Sequence, residues 1–382
     1  MKRIAALIVI ALTASACSDN PSAPRAAVPR AELKVAQGEA VAGSFIVVFN
    51  DDVSDPEAVA AELVGKSNGT LKHAYKAALK GFAAELSDDA VTALREDSRV
   101  SYVEQDQVYT INTTQSGATW GIDRIDQRNR PLSGTYTYTR TGSGVRVYII
   151  DTGIYTSHTQ FGGRASTVYG SADCNGHGTH VAGTVGASTY GVAKAALLRG
   201  VRVLDCAGSG STSGIIAGID WVRVNHIKPA VANMSLGGGY SSSLNTASTN
   251  LANAGVFLAV AAGNSNANAC NYSPASASAV FTVASSTSSD AKSSFSNYGS
   301  CVEAYAPGSS ITSTWLNGGT NTISGTSMAS PHVAGVAALY KHTYGDAASS
   351  TINSWIINNS TSGVITGNVT GTPNRLLYKS TL

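Results

Sequence analysis

The second half of the chain alternates short apolar runs with longer segments rich in small residues. Four of the apolar runs have the length and composition of buried strands: residues 145–150, 201–204, 231–235 and 256–261. Helices are expected after His177 and over residues 211–225 and 242–253. Strands that are apolar on both faces and alternate with helices are typical of a parallel sheet covered on both sides. The pattern predicts an α/β domain with a doubly wound, mainly parallel sheet, helices on both faces, and a site at the carboxyl ends of strands.

An upstream segment has a different order of elements. Its pattern predicts two strands, two helices and two extended stretches: strands over residues 45–49 and 100–104, helices over 55–66 and from Ser87, and extended chain around Tyr75 and over 82–86. The order β-α-β-β-α-β is that of a small ferredoxin-like α+β domain, which we place at residues 44–111. Residues 110–119 are small and polar, as expected of a linker that is cut, and the α/β domain is expected over residues 112–382.

The first 43 residues have the features of a targeting segment and a leader. Lys2 and Arg3, an apolar run over residues 4–12 and small residues before Cys17 predict a secretory signal peptide over residues 1–17. Cys17 leaves a second interpretation open, a bacterial lipoprotein signal whose cysteine carries a lipid. Prolines recur in residues 18–43, so this stretch is expected to be a disordered leader.

Composition and charge exclude several classes of protein. Only 13% of the 382 residues are charged, and no apolar run reaches the roughly 18 residues that a membrane-spanning helix needs. Residues 1–114 carry 11 basic and 15 acidic side chains, whereas residues 115–382 carry 15 basic and 9 acidic ones. The opposite net charges suggest that the upstream segment docks on the α/β domain. No cluster of Lys and Arg indicates a nucleic-acid partner, and we expect a monomer that is not membrane-bound once mature.

Five cysteines in a chain with a secretory signal leave one over. Cys17 is the odd one, because the other four lie far downstream. Four cysteines allow three pairings, and we expect Cys174–Cys206 and Cys270–Cys301, since each bond closes a loop of about thirty residues between neighbouring segments. Such bonds form in an oxidising compartment, as expected of a secreted, extracellular protein.

Three reactive side chains lie in glycine-rich motifs that a parallel sheet would bring together. Asp151 directly follows the first predicted strand and precedes Thr-Gly, His177 lies in Gly-His-Gly-Thr-His, and Ser327 lies in Gly-Thr-Ser-Met-Ala at the start of a predicted helix. A serine that attacks a carbonyl carbon, a histidine that moves the proton and an aspartate that orients the histidine form a catalytic triad. The three side chains are therefore candidates for nucleophilic hydrolysis.

These motifs, in this order, resemble those of the subtilisin-like serine proteases, in particular their proteinase K-like branch and its aqualysin-type members. The upstream domain resembles the inhibitory propeptide of the same family. The resemblance implies a secreted serine endopeptidase of broad specificity, made as a zymogen that cuts itself near Thr114–Gln115, so that the mature enzyme starts near residue 115. Its partners would be protein and peptide substrates and its own propeptide.

The resemblance also implies roles for further residues. His177, and not His180, corresponds to the catalytic base. Asn264 matches the asparagine that, with the backbone N–H of Ser327, stabilises the oxyanion of the tetrahedral intermediate. Two short stretches correspond to the walls of the substrate groove: Gly208, Ser209 and Gly210, and Ser235, Leu236 and Gly237.

Members of this family bind structural calcium, and the resemblance implies one or two such sites here but no cofactor for catalysis. Ca²⁺ takes about six to eight oxygen ligands. One set of candidate ligands lies near the start of the α/β domain: Asp123, Asp126 and Gln127. A second set combines the carbonyls of Ser278 and Val280 with Glu303, which replaces an aspartate of relatives. The loop before Cys174 has few acids, and no site is expected there.

Two other functions are consistent with parts of the pattern. An esterase or lipase of the α/β-hydrolase type needs a Gly-x-Ser-x-Gly motif and the chain order Ser, Asp, His. Here the order is Asp, His, Ser, and the nearest sequence is Gly-Asn-Ser-Asn-Ala at residues 263–267. A binding protein that kept the fold without activity should lack at least one of the candidate side chains, and all of them are present.

Overall fold

A computed structural model describes residues 30–36, 40–107 and 113–382 of the chain. The predicted signal peptide, Cys17 and most of the predicted leader lie outside these residues. The chain divides into two compact units, residues 1–110 and 111–382, each with its own hydrophobic core. None of the helices in the described ranges combines the length and the apolar character that crossing a bilayer requires.

The first unit is a five-stranded sheet packed against two helices. Its elements, in chain order, are β1 (Glu32–Lys34), β2 (Ala40–Phe49), α1 (Pro56–Lys66), β3 (Thr70–Tyr75), β4 (Gly81–Glu85), α2 (Asp88–Leu94) and β5 (Val100–Gln107). The strand order is β1-β5-β2-β4-β3, in which β1 and β5 are parallel and the other neighbours antiparallel. From β2 onward the elements follow the β-α-β-β-α-β order that the sequence pattern predicts.

Side-chain caps explain where the two helices of this unit begin. Asp55 precedes α1, and its carboxylate accepts a hydrogen bond from the Ala58 N–H at 3.1 Å. Ser87 caps α2 in the same way, with its hydroxyl oxygen 3.2 Å from the Ala90 nitrogen. Pairing an N–H group that has no partner within the helix stabilises each start by about 1 kcal/mol. Both helices therefore begin where their sequences predict.

The described part of the predicted leader is not disordered. Glu32–Lys34 forms β1 at the edge of β5, and β2 begins at Ala40 rather than at residue 45. Ala31 and Leu33 pack against the core of the unit. The backbone groups along the edge of β5 need partners, and a short strand with apolar side chains supplies them. The expectation of disorder is therefore wrong for the leader residues that the structure describes.

The second unit contains the predicted α/β domain. Its strands are β6 (Thr113–Ser116), β7 (Thr135–Tyr138), β8 (Arg146–Asp151), β9 (Ala165–Tyr169), β10 (Leu197–Arg202), β11 (Ala230–Met234), β12 (Gly238–Gly239), β13 (Phe257–Ala261), β14 (Tyr272–Ser273), β15 (Phe281–Ser286), β16 (Ala304–Pro307), β17 (Ile311–Thr314), β18 (Thr320–Ile323), β19 (Thr361–Ser362) and β20 (Arg375–Leu376). Its helices are α3 (Trp120–Asp126), α4 (His177–Gly186), α5 (Thr212–Asn225), α6 (Ser242–Asn253), α7 (Thr326–Tyr344) and α8 (Ser349–Asn359).

A nine-stranded sheet of order β19-β20-β16-β15-β13-β11-β8-β10-β9 forms the centre of this unit. Its neighbouring strands are parallel, except that β19 runs antiparallel to β20. Successive residues of a strand face opposite sides of the sheet. Val147 and Ile149 of β8 accordingly join the core that includes α4 and α7, whereas Tyr148 and Ile150 pack with α5 and α6. The doubly wound α/β prediction is confirmed.

The predicted linker over residues 110–119 contains a strand. Within it, Thr113–Ser116 forms β6, which pairs antiparallel with β7, so that Thr114 lies opposite Thr137 and Gln115 opposite Tyr136. Threonine favours extended chain because its branched side chain packs well on a pleated surface. Four residues of the predicted linker are therefore extended and paired within the second unit.

Both disulfide bonds connect loops of the second unit. The Cα atoms are 5.1 Å apart in Cys174–Cys206 and 5.4 Å apart in Cys270–Cys301. The pairing chosen from the sequence is thus the one that forms. The bonds span 32 and 31 residues, and each stabilises the folded state by roughly 3 to 4 kcal/mol if the loss of chain entropy on unfolding dominates.

Candidate active site

The three candidate catalytic side chains lie at the ends of three different elements. Asp151 is the last residue of β8, His177 the first residue of α4 and Ser327 the second residue of α7. Two glycines allow a close approach between the first two segments, since a Cβ on Gly178 would lie 2.2 Å from the carbonyl oxygen of Gly153. The glycines of the two motifs therefore bring the start of α4 against the end of β8.

Asp151 and His177 are joined by a hydrogen bond. His177 Nδ1 lies 2.8 Å from Asp151 Oδ1, which also accepts the Thr152 N–H at 2.7 Å. Asp151 is fully buried, whereas the side chain of His177 is 25% exposed. Burial lowers the pKa of His177, but the negative charge of Asp151 and the hydrogen bond outweigh it and raise that pKa above its ordinary value of 6.5. The pair can therefore take up a proton and hold it as an imidazolium ion.

A second buried carboxylate, that of Asp173, organises the backbone around this pair. It accepts a hydrogen bond from the Thr152 hydroxyl at 2.9 Å and further ones from the N–H and hydroxyl of Thr179. These groups belong to the segments that carry Asp151 and His177, so one carboxylate connects both segments. Its charge also helps to raise the pKa of His177. Asp173 was not predicted to have a role in the site, although an acidic residue four positions before the histidine was a usable signal.

Ser327 is held in place by contacts with Ser235. The Ser327 hydroxyl donates to the Ser235 carbonyl at 3.1 Å, and the Ser235 hydroxyl donates to the Ser327 carbonyl at 2.7 Å. Asn233 donates to the Ser235 hydroxyl at 2.9 Å and accepts from Ser330 at 2.7 Å. This network joins the segment after β11 to the start of α7. Ser327 lies in the first turn of α7, where backbone N–H groups have no acceptors within the helix and can bind an anion.

Asn264 lies in the loop after β13, next to the start of α7. Its side-chain oxygen accepts hydrogen bonds from the N–H and the hydroxyl of Thr326, at 2.8 and 2.9 Å. The Thr326 hydroxyl in turn accepts the Gly263 N–H at 3.1 Å. Because Thr326 occupies the Asn264 oxygen, the Asn264 NH₂ group is the part of the amide that can bind a ligand. Thr326 belongs to the Gly-Thr-Ser-Met-Ala motif, but its contact with Asn264 was not predicted from the sequence.

Two adjoining pockets are lined by His177, Asn264 and Ser327. The first has a volume of about 210 Å³, and its lining includes Gly237, Gly238, Ala261, Ala262, Gly263, Asn264, Thr326 and Ser327. The second, of about 460 Å³, is lined by His177. It is also lined by all six residues that were predicted to form the walls of a substrate groove: Gly208, Ser209, Gly210, Ser235, Leu236 and Gly237. Leu236 and Gly237 border both pockets, so the two form adjoining parts of one groove.

Two further histidines, His180 and His332, are buried close to the site. Burial lowers the pKa of each to about 4. A His180 ring nitrogen lies 3.0 Å from the Ile311 carbonyl oxygen, and a His332 ring nitrogen lies 2.9 Å from the Met328 carbonyl oxygen. Neutral histidines that are hydrogen-bonded to backbone carbonyls serve a structural role. This agrees with the prediction that His177, and not His180, corresponds to the catalytic base.

Residues 142–376 match a known protein family, described as the Subtilase family. The match covers more than half of the chain. The chain belongs to the subtilase family. Upstream in this subtilase, residues 44–112 match a second family, described as Peptidase inhibitor I9.

Relatives and a solved structure agree with the family match. The subtilase is 49% identical to the extracellular serine proteinase of Thermus sp. strain Rt41A, over 97% of this chain and 98% of that protein. It is 47% identical to proteinase R of Parengyodontium album, over 92% of both chains. The crystal structure of a cold adapted subtilisin-like serine proteinase is 53% identical, with a TM-score of 0.68, and covers 69% of this chain and 99% of that chain. The subtilase is therefore a serine endopeptidase with a subtilisin-like fold.

The side chains of the first candidate calcium set accept hydrogen bonds from neighbouring residues. Asp123 accepts the N–H and the hydroxyl of Ser133 at 3.2 and 3.1 Å, and Asp126 accepts the Thr137 N–H at 2.6 Å. The Gln127 side-chain oxygen accepts the Ser133 N–H at 3.2 Å. Hydrogen-bond donors therefore reach at least one oxygen of each of the three side chains in this set.

The second set contains a partly buried carboxylate. Burial raises the pKa of Glu303 to about 8, and one of its oxygens accepts the Thr282 N–H. Ala279, between Ser278 and Val280, has a φ of 65°, in the left-handed region that a non-glycine residue rarely adopts. Burial disfavours the ionised form of Glu303, and a bound cation would stabilise it. Because no group of three or more acidic, histidine or cysteine side chains in the described ranges could hold a metal, carbonyl oxygens would have to supply the other ligands.

Proposed function

We propose that the chain is the precursor of a secreted endopeptidase that hydrolyses peptide bonds through Ser327, His177 and Asp151. The observation that carries the proposal is the 2.8 Å hydrogen bond between His177 Nδ1 and the buried Asp151 carboxylate. His177 and Ser327 line adjoining pockets of one groove. A base held by a carboxylate and a serine in the same groove are the groups that nucleophilic hydrolysis requires.

In the first half of the proposed reaction, Ser327 Oγ attacks the carbonyl carbon of the scissile bond, and its proton passes to His177 Nε2. Asp151 accepts a hydrogen bond from His177 Nδ1 and stabilises the imidazolium ion. The carbonyl oxygen becomes an oxyanion, which the Asn264 amide and the Ser327 N–H stabilise. His177 then donates its proton to the leaving amine, the C–N bond breaks, and an acyl-enzyme remains.

In the second half, water attacks the ester carbon of the acyl-enzyme while His177 accepts a proton from it. The same two donors stabilise the second oxyanion. The bond to Ser327 Oγ breaks, Oγ takes back the proton from His177, and the carboxylic product leaves. Every proton is transferred by side chains of the chain itself, and weak esterase activity is expected from the same acyl-enzyme chemistry.

The groove supports broad specificity. No charged side chain is among the described residues that line the 210 Å³ pocket beside Ser327, and most of its lining consists of small residues. An apolar or aromatic side chain of the substrate fits such a pocket. The second pocket has glycine-containing backbone on two sides, at residues 208–210 and 235–237. An extended peptide between such segments is held through main-chain hydrogen bonds, which demand little of its sequence.

The I9 domain supports synthesis as a zymogen whose propeptide inhibits the enzyme until it is cut off. We place the self-cleavage before Thr113 rather than at Thr114–Gln115. A cut at the latter bond would divide β6, whose residues pair with β7. A cut before Thr113 keeps all of these bonds. Any lipid on Cys17 would leave with the removed segment, so the mature enzyme would be free of the membrane and extracellular.

The pH dependence of peptide hydrolysis tests this function. The mature enzyme should cleave a peptide amide substrate with a kcat/KM that falls at acid pH, because His177 must be neutral to accept a proton from Ser327. Asp151 raises the pKa of His177 above 6.5, so protonation persists to higher pH and the acid limb should have its midpoint above 6.5. A serine-reactive sulfonyl fluoride is the control and should stop the reaction. Cleavage that does not depend on pH between acid and neutral solution would contradict the proposal.

We further propose that calcium binds at Glu303 and the carbonyls of Ser278 and Val280. Excess calcium should raise the melting temperature of the second unit relative to EDTA. A ligand at 100 times its Kd stabilises by about 2.7 kcal/mol, which corresponds to roughly 5–10 °C for a domain of this size. Thermal melting of the Ser327→Ala precursor, which should not digest itself, measures the shift.

Matched substitutions separate the two candidate calcium sets. Glu303→Gln should abolish the calcium-dependent shift, whereas Asp126→Asn, at another partly buried carboxylate, should keep it. In EDTA at neutral pH, Glu303→Gln should not be destabilising. The raised pKa of Glu303 means that the folded state binds the proton more tightly than the unfolded state, so this residue lowers stability as pH rises. An equal calcium shift with and without Glu303 would mean that calcium binds elsewhere.

A further inference from the structure

Asn297 is a fully buried polar residue in the segment between β15 and β16. Its side chain binds the loop that follows β13 through three hydrogen bonds. The Asn297 NH₂ group donates to the Ala262 carbonyl at 2.9 Å, and its oxygen accepts the N–H groups of Ser265 and Ala267, both at 3.0 Å. These partners lie before and after Asn264 in the chain. One amide therefore holds both flanks of the residue proposed to bind the oxyanion.

Gly263 brings this loop into direct contact with Asn297. The Asn297 backbone N–H donates to the Gly263 carbonyl at 2.9 Å. Gly263 has a φ of +101°, and a Cβ at this position would lie 2.4 Å from the Asn297 amide nitrogen. Any other residue at position 263 would strain the backbone and displace the amide of Asn297. The loop after β13 and the amide of Asn297 are therefore closely packed as well as hydrogen-bonded.

Asn297 is itself fixed to the central sheet. The Ser296 hydroxyl donates to the Asn297 carbonyl at 3.0 Å and accepts the Ser285 N–H of β15 at 2.9 Å. Strand β15 pairs with β13, the strand that the loop follows. The position of the loop is therefore set relative to two neighbouring strands of the sheet.

The direction of the Asn264 NH₂ group depends on two constraints. Thr326 fixes the side-chain oxygen, and the backbone of residues 262–267 fixes where the side chain begins. A donor stabilises an oxyanion only at a distance of about 2.7–3.1 Å, and a displacement of about 1 Å can lower a rate by roughly 10²-fold. The neutral carboxamide of Asn297 is suited to fix the backbone of residues 262–267, because it combines NH₂ donors with an oxygen that accepts two hydrogen bonds.

We propose that Asn297 is a positioning residue for the oxyanion donor Asn264, a role that rests on the function proposed above. Asn297 lines neither of the two pockets of the groove and acts through the backbone of the loop. The oxyanion forms only as the reaction proceeds, so loss of positioning should lower kcat and leave KM nearly unchanged. A merely structural residue would instead lower the melting temperature without this separation of kcat from KM.

The test is a double-mutant cycle on the mature enzyme with one peptide amide substrate. It compares Asn297→Ala, Asn264→Ala and the double variant, and thermal melting establishes that each is folded. Asn374→Ala is the matched control, because the Asn374 side chain also bridges a backbone N–H and carbonyl, both of Ile365 and both at 2.9 Å. Asn374 lines neither pocket. Variants that do not process themselves are cut by a trace of tagged wild-type enzyme, which is then removed.

Asn264→Ala should lower kcat by about 10²- to 10³-fold, the loss measured for such a donor in a subtilisin. Asn297→Ala should lower kcat by roughly 10- to 10²-fold, with KM changed less than about threefold. The double variant should be no slower than Asn264→Ala, because no donor remains to be positioned. The proposal would be overturned if the kcat of the double variant fell by the product of the two single losses. It would also be overturned if the kcat of Asn297→Ala equalled that of Asn374→Ala. A normal kcat for Asn264→Ala would instead overturn its oxyanion role.

Asn297→Asp provides the test if the alanine variant does not fold. It keeps acceptors for Ser265 and Ala267, replaces the NH₂ donor to the Ala262 carbonyl and adds a buried ionisable group. The kcat should again fall with little change in KM, and the fall should disappear when Asn264→Ala is the background. A kcat of Asn297→Asp equal to that of Asn374→Asp would refute the positioning role, and so would an equal fall in kcat in the wild-type and the Asn264→Ala backgrounds.

Discussion

Replacing Ser327 with alanine should leave the precursor uncut. The wild-type precursor should yield a mature species that begins at Thr113, whereas Ser327→Ala should remain full length apart from removal of the signal peptide. The reason is that the attacking Oγ is missing, and loss of this atom lowers kcat by about 10⁶-fold in a subtilisin. Intact mass and N-terminal sequencing of the two products measure the result directly.

Ser289→Ala is the matched control for this experiment, because it removes a hydroxyl from an exposed loop of the same unit. It should be processed like the wild type. Equal processing of all three chains would mean that an external protease makes the cut, and self-processing would be refuted. A mature terminus at Gln115 would refute only the argument that the intact β6–β7 pairing sets the position of the cut.

Asp151→Asn should lower kcat on a peptide amide by about 10⁴-fold, as the same change does in another serine protease triad. The imidazolium form of His177 would lose its counter-ion, and the hydrogen bond that fixes its Nδ1–H would weaken. The pKa of His177 is raised by Asp151, so removing the charge should lower it and move the acid limb of kcat/KM to lower pH. A pH–rate profile of mature enzyme, obtained by cutting the variant in trans, measures both effects.

Asp220→Asn is the control for Asp151→Asn, since Asp220 is an exposed carboxylate on α5. It should change neither kcat nor the pH profile. A tenfold or smaller loss in Asp151→Asn, or an acid limb that stays in place, would contradict the assignment of Asp151 as the partner of the catalytic base.

The fold could be predicted where the apolar pattern of a single segment is enough to identify a strand or a helix. Strands β8, β11 and β13 are continuous apolar runs, and α5 and α6 lie between them, so the pattern of buried strands and helices is visible in the sequence. Strands β15, β16 and β20 were not predicted. The strand β15 reads Phe-Thr-Val-Ala-Ser-Ser, and β16 has four residues and ends at Pro307. Their place in the sheet is decided by neighbouring strands rather than by their own composition.

The candidate site also contains residues that one segment of sequence identifies and residues that only the complete fold identifies. Asp151, His177 and Ser327 lie in motifs that can be read locally. Asp173 and Asn297, in contrast, are polar residues in loops, and their partners are determined only by the folded backbone. The side chain of Asn297 contacts residues about thirty positions away in the chain. No local pattern distinguishes such an asparagine from an ordinary loop residue.

The bond between Cys174 and Cys206 connects two functional loops. Cys174 lies three residues before His177, and Cys206 lies just before Gly208–Gly210 in the groove wall. In a reducing compartment this bond does not persist, and the two loops are then not joined covalently. For the secreted precursor proposed above, oxidation after export would complete the geometry of the site as well as stabilise the fold. The timing of oxidation would then protect the proteins of the producing cell in addition to the proposed inhibition by the propeptide.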